Sequence, residues 1–168
     1  MTAGPGIEID IGQPWPAADW ETLAAHAAAA AAQVAPELAN PRLSASLLFT
    51  SDAEIRELNR DWRRRDKPTN VLSFPMLERE ALLALPAEGR PELLGDIALA
   101  HETCAREAAE RGIALEHHAA HLIVHGLLHL AGYDHEISTT EAEAMEALET
   151  KALAICGIAD PYGDRDAS

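Results

Sequence analysis

Apolar and polar residues alternate from Gly6 to Ile11 (G-I-E-I-D-I), which predicts a short strand. Pro14-Trp15-Pro16 breaks it, and Asp19 to about Val34 reads as a helix that stops near Pro36. Alternation returns in Arg42 to Thr50 (R-L-S-A-S-L-L-F-T), a second strand. Ser51 or Asp52 then caps a helix through Leu58 to about Trp62, with Glu54 in its first turn. Asp66-Lys67-Pro68-Thr69-Asn70 is a turn, and Val71 to Phe74 is a short buried strand ended by Pro75. From Met76 to Pro91 the chain carries Pro86, Gly89 and Pro91 around a small apolar stretch, Ala81 to Leu85, which predicts a mobile loop placed to act as a lid.

Gly95 to Ala100 (G-D-I-A-L-A) predicts another buried strand. A helix follows from His101 or Glu102 to Arg111, ended by Gly112, and the next runs from about Leu115 to Ala131. Ser138-Thr139-Thr140-Glu141 has the capping-box pattern and opens a last helix to about Ile155. Gly157 and Pro161 end it, and the tail, about 163–168, is expected to be loose. The order βαβαββααα, without repeat or linker, predicts one α+β domain over 1–168: a small mixed β-sheet packed against helices.

Composition narrows the setting. A chain of 168 residues with 48% hydrophobic residues can bury a proper core. No apolar run reaches the ~18 residues of a membrane span, so no membrane partner is expected. The alanine-rich stretch Ala24 to Ala32 is interrupted by His26 and reads as a soluble helix. The N-terminus lacks the pattern of a secretory signal. Cys104 and Cys156 give no disulfide framework, which suits a reducing cytoplasm.

The net charge of −15 argues against nucleic acid, because phosphate repels an acidic surface. The distribution softens this. Arg56, Arg60, Arg63, Arg64, Arg65 and Lys67 make up six of the 13 basic residues, while Glu141, Glu143, Glu146 and Glu149 lie elsewhere. Such a patch either steers a polyanion locally or is a solvated helix end.

The chemistry concentrates in His125-Gly126-Leu127-Leu128-His129-Leu130-Ala131-Gly132-Tyr133-Asp134-His135, an H-x-x-x-H-x-x-G-x-x-H pattern. Imidazoles four residues apart share one helix face. A glycine three residues later can end the helix, and the third histidine then reaches back from a loop. Alone, a pair at i, i+4 is as often a surface or core feature; the glycine and third histidine favour a metal site. Three protein nitrogens with an open fourth position describe a catalytic zinc rather than a structural one. Neither cysteine sits in a Cys-x-x-Cys pair that would close the site.

Metzincin proteases share this spacing but carry glutamate after the first histidine as general base. Here that position is Gly126, so peptide hydrolysis by that route is not expected. A metal so held would still act as a Lewis acid and lower the pKa of bound water to about 7.

Asn70-Val71-Leu72-Ser73-Phe74-Pro75, preceded by Lys67-Pro68-Thr69, together with Leu94-Gly95-Asp96-Ile97 and the three-histidine segment, resembles the YbeY family of bacterial endoribonucleases. The resemblance covers roughly Ile9 to Tyr162. It implies a zinc-dependent, single-strand-specific endoribonuclease of the cytoplasm, acting in ribosomal RNA maturation at the 3′ end of the small-subunit RNA and in ribosome quality control. It further implies one Zn2+ per chain on His125, His129 and His135, a zincin-like metal helix, and a functional arginine at Arg63, with Arg64 and Arg65 as neighbours that compete for the assignment. The ribosome or its proteins would be partners, to which an acidic surface is suited.

Arg63 is expected to bind phosphate, against the alternative of a surface arginine. Asp134 either holds a ligand imidazole or caps the turn. Asp96 is either a buried acceptor or part of the cleft lining. His121 sits one turn before His125 and reads as a core histidine more readily than a site residue; His117 and His118 read as surface, and Met145 as core. Ser73 and Thr69 are candidates for shaping the cleft near Arg63. Two competing readings remain: hydrolysis of a peptide or small amide, and a non-catalytic, zinc-containing ribosome assembly factor.

Overall fold

The computed structural model describes residues 4–133 and 138–159. Four strands, β1 (Gly6–Ile11), β2 (Leu43–Thr50), β3 (Val71–Pro75) and β4 (Glu92–Ala100), form one sheet in the order β1-β2-β4-β3. β1, β2 and β4 run parallel, and β3 closes the edge antiparallel to β4. The parallel pairs need long crossovers, and helices supply them. These are α1 (Trp20–Val34) after β1 and α2 (Asp52–Arg63) after β2. Helices α4 (His101–Arg111), α5 (Leu115–Leu130) and α6 (Thr139–Ile155) follow the last strand.

The period-2 pattern sorts the sheet's side chains onto two faces. Ala45, Leu47 and Phe49 of β2 join Ile97 and Leu99 of β4 in the main core with α1, α5 and α6. Leu72, Ala98 and Ala100 lie on the opposite face and pack with Ile55 of α2. The alanines of α1 explain themselves here. Ala24, Ala27, Ala28, Ala30, Ala31 and Ala32 are all buried, because α1 packs against α5, α6 and β1 and only small side chains allow that approach.

Caps match the sequence signals. The side chains of Asp19, Ser51 and Ser138 accept from the backbone N–H of Thr22, Glu54 and Glu141 at the starts of α1, α2 and α6. Asp52 also accepts from the backbone and the hydroxyl of Thr103 at 3.0 and 2.8 Å, which ties α2 to α4. α2 ends at Arg64 in the left-handed conformation, φ 57°, and Asn59 fastens the following turn by donating to the Lys67 carbonyl at 2.8 Å.

Two expectations are corrected. The segment Met76 to Pro91 is not a plain loop: it contains α3 (Arg79–Ala84), with Leu82 buried. Arg79 donates to the Ala131 carbonyl at 2.7 Å, pairs with Glu37 at 3.0 Å and lies over the Tyr133 ring, so the segment is fastened to the end of α5. Five apolar residues among prolines were too short a run to show a helical period. β3, expected to be buried, is an edge strand; only Leu72 is fully buried, and Pro75 still pairs with Gly95. An edge tolerates the missing N–H of a proline.

Close contact between α5 and the sheet rests on two glycines. A Cβ at Gly126 would stand 2.9 Å from Cδ1 of Ile97 and 3.2 Å from both of its γ carbons. A Cβ at Gly95 would stand 2.6 Å from Leu130 and 2.5 Å from the Phe74 carbonyl oxygen. Gly126 therefore faces the sheet.

Gly126→Ala should lower stability by about 1 kcal/mol despite the better helix propensity of alanine, because overpacking costs more. Ile97→Val in the same chain should recover part of that loss, read as less-than-additive shifts in urea midpoint. Arg64→Gly should raise stability by about 0.5–1 kcal/mol, since glycine carries no left-handed penalty at a helix end; an unchanged midpoint would contradict this account of the turn.

Candidate metal centre and its cleft

Helix α5 brings its histidines to one side because they recur every fourth residue. The rings of His125 and His129 lie 5.5 Å apart between centroids. Both line a cleft of about 630 Å3, bounded by α5, the edge strand β3 and the turn after α2. Arg63 and Arg65 line the same cleft, as do Thr69 and Ser73. The structure thus brings together His125, His129 and Arg63, from α5 and the end of α2. Ser73 lies in the cleft because β3 alternates: Val71, Ser73 and Pro75 face it, while Leu72 packs beneath α2. His135 and Asp134 lie outside the described residues.

Glu149 of α6 is the residue that sequence reasoning missed. Its carboxylate is buried, 1% exposed, beneath the histidines. One oxygen, Oε1, accepts from Nδ1 of His125 at 2.8 Å and from Nε2 of His121 at 3.0 Å. Burial pushes this carboxyl up, but the hydrogen bonds from His121 and His125 outweigh it and hold the group down at about 2. An ionised carboxylate only accepts, so each histidine presents an N–H to it. A signal was present in the sequence. Met145, Glu149, Ala152 and Leu153 recur at helical spacing, and the other three are buried core residues, so a glutamate in that stripe needs a partner.

His121 is buried and lines the cleft, so it is not merely core filling. His118, expected at the surface, is corrected: it is 1% exposed, with Nε2 2.8 Å from Oε1 of Glu107. Glu107 also accepts from the Asn70 side chain at 3.0 Å, which fixes the turn before β3 against α4 and α5. Burial holds the His118 imidazole below its usual range, against the pull of Glu107. His117 is exposed as expected, and Met145 is fully buried in the core. Asp96 lines a different groove of about 810 Å3 on the far face of the sheet. Arg63 and the exposed Trp62 lie at that groove too.

The basic cluster divides. Arg56 pairs with Asp66 at 2.6 Å and Arg60 with Asp61 at 3.3 Å, both on the exposed surface. These two fit the solvated-helix reading, whereas Arg63 and Arg65 face the cleft. Arg111, from the end of α4, adds a third guanidinium to that lining.

Among the described residues no group of three or more His, Cys, Asp or Glu is arranged to hold a metal ion. His125 and His129 supply two imidazoles on one face, and the sequence assigns the third to His135. The donor set fits a zinc-like ion. Imidazoles suit such a metal, and Nδ1 of His125 lies 2.8 Å from a buried carboxylate, which would leave Nε2 for coordination. Burial pushes the thiols of Cys104 and Cys156 up, so neither is a ready thiolate ligand.

Residues 10–157 match the family model described as Endoribonuclease YbeY. A protein of that name from Erythrobacter litoralis is 65% identical over 159 residues, covering 95% of this chain and 98% of the relative. Another from Novosphingobium aromaticivorans is 58% identical over 166 residues, covering 98% and 99%. The solution structure of TM1509 from Thermotoga maritima has a TM-score of 0.58 to this fold at 25% identity, covering 96% of this chain and 92% of that one. With so long a match, running through the cleft's arginine and α5, the chain belongs to the Endoribonuclease YbeY family.

Proposed function

We propose that this chain is a zinc-dependent endoribonuclease that cuts single-stranded RNA in the cytoplasm, matures the 3′ end of the small-subunit ribosomal RNA and serves ribosome quality control. The observation that carries the cleavage chemistry is that Arg63 and the two histidines, from separate elements, line one cleft. The ribosomal substrate and the setting rest on the family resemblance.

In this reading His125, His129 and His135 hold the metal, which when bound supplies Lewis acidity toward a phosphoryl oxygen and a nucleophile from water. Arg63 binds the phosphodiester. Its planar guanidinium offers parallel N–H donors to two phosphate oxygens and offsets the charge that builds up in the transition state. Arg65 and Arg111 extend this positive lining, so RNA approaches a locally basic cleft on a chain of net charge −15. Thr69 and Ser73 shape the wall beside Arg63. Gly126 faces Ile97 rather than the cleft, so no side chain at that position can serve as the general base of a zinc protease. This favours phosphodiester over peptide as substrate.

The test is cleavage of a labelled single-stranded RNA by zinc-loaded chains purified side by side. His129→Ala should abolish cutting; equal cutting by wild type and this variant would assign the activity to a contaminant and overturn the reading. Arg63→Lys should keep one zinc per chain and cut roughly 10²-fold more slowly, the cost of losing a donor aimed at transition-state charge. Full activity in that variant would remove Arg63 from the chemistry.

A further inference from the structure

We propose that Glu149 is the positioning residue of the metal centre. It fixes His125 as the Nδ1–H tautomer, so that Nε2 would be the nitrogen offered to a metal, and His121 serves to hold Glu149 in place. The inference rests on His125 being a metal ligand and goes beyond it, because it assigns roles to two residues outside the three-histidine motif.

Four observations carry it. Glu149 is 1% exposed, on a helix whose neighbouring buried positions, Met145, Ala152 and Leu153, are apolar. A buried carboxyl group is costly unless its hydrogen-bonding capacity is used. Its Oε1 is used twice, by His125 Nδ1 at 2.8 Å and His121 Nε2 at 3.0 Å. The contact on His125 is to Nδ1, the nitrogen remote from the coordinating one in a ligand bound through Nε2.

The geometry separates the histidines of α5 by role. The rings of His125 and His129, 5.5 Å apart and tilted by 54°, line the cleft. His121, one turn earlier and 7% exposed, gives Nε2 to the carboxylate. With that nitrogen engaged, His121 steadies the acceptor, and the acceptor steadies His125. Ring rotation of His125 would break a bond to a charged buried oxygen, the class of hydrogen bond worth most. The metal site thereby depends on how α6 docks against α5, although α6 carries no ligand among its described residues.

The test uses the full chain and two variants, Glu149→Gln and Glu149→Met. Long-range proton–nitrogen correlation spectra of the metal-free protein read the tautomer of His125, and competition with a chromophoric chelator reads zinc affinity. In wild type His125 should carry its proton on Nδ1. Glu149→Met removes the acceptor and should mix the tautomers and weaken zinc binding about 10–100-fold. Glu149→Gln keeps an acceptor oxygen without the charge and should show a smaller loss. His121→Ala should weaken zinc less than Glu149→Met while leaving His125 on Nδ1–H.

A wild-type His125 protonated on Nε2 would overturn the inference, as would a folded methionine variant that binds zinc within twofold of wild type. If the methionine variant fails to fold, the wild-type tautomer and the glutamine variant decide. A wild-type chain that binds no zinc would overturn both this role and the metal reading. Absence of RNA cleavage with tautomer and zinc affinities as expected would sustain the role and overturn only the nuclease reading.

Discussion

The close seating of α5 on the sheet is the constraint on which the rest depends. Gly126 and Gly95 leave no side chain between helix and strand, and Ile97 and Leu130 fill the space on either side. Once α5 lies there, its period decides what points where. Leu127, Leu128 and Leu130 enter the core, and His125 and His129 turn to the cleft. A helix held farther from the sheet would carry the same histidines, but at another height relative to Arg63 and β3. Catalytic groups tolerate little displacement, so rigidity under the ligands matters as much as their identity.

Charge is handled by separation. The chain is strongly acidic overall, yet the cleft carries Arg63, Arg65 and Arg111 in its lining. Glu149, which meets His125 and His121, is shut away from solvent and engaged by two imidazole donors. Glu107, partly exposed, is engaged by His118 and Asn70. A carboxylate buried behind the histidines, as Glu149 is, orients them without presenting an open negative surface to an incoming phosphate.

Gly126 shows how a correct observation can carry a second meaning. As a letter in a motif it marks a missing general base. In the fold it is a packing glycine, and the two readings agree because a residue facing Ile97 cannot also face the cleft. The Met76 to Pro91 segment went the other way. Its prolines and glycine read as a loop, yet Arg79 finds Glu37, Tyr133 and the Ala131 carbonyl, all remote in sequence, and the short helix α3 starts at that anchor. His118 was misplaced for a similar reason: its acceptor, Glu107, sits on another helix.

The sequence by itself determined the strands and most helices, their caps, the α+β class, and the pairing of His125 with His129. Each of these follows from local spacing, capping chemistry or period, which are written in consecutive residues. It also pointed to Arg63, by resemblance rather than by physics. Only the tertiary structure decided that Arg63 stands in the same cleft as those histidines, that Asp96 lies on the far face of the sheet, and that Glu149 lies beneath His125. A glutamate in a helix looks alike whether it meets water or a buried imidazole. Which it meets depends on how α6 packs on α5, and that is fixed by contacts between residues far apart in the chain.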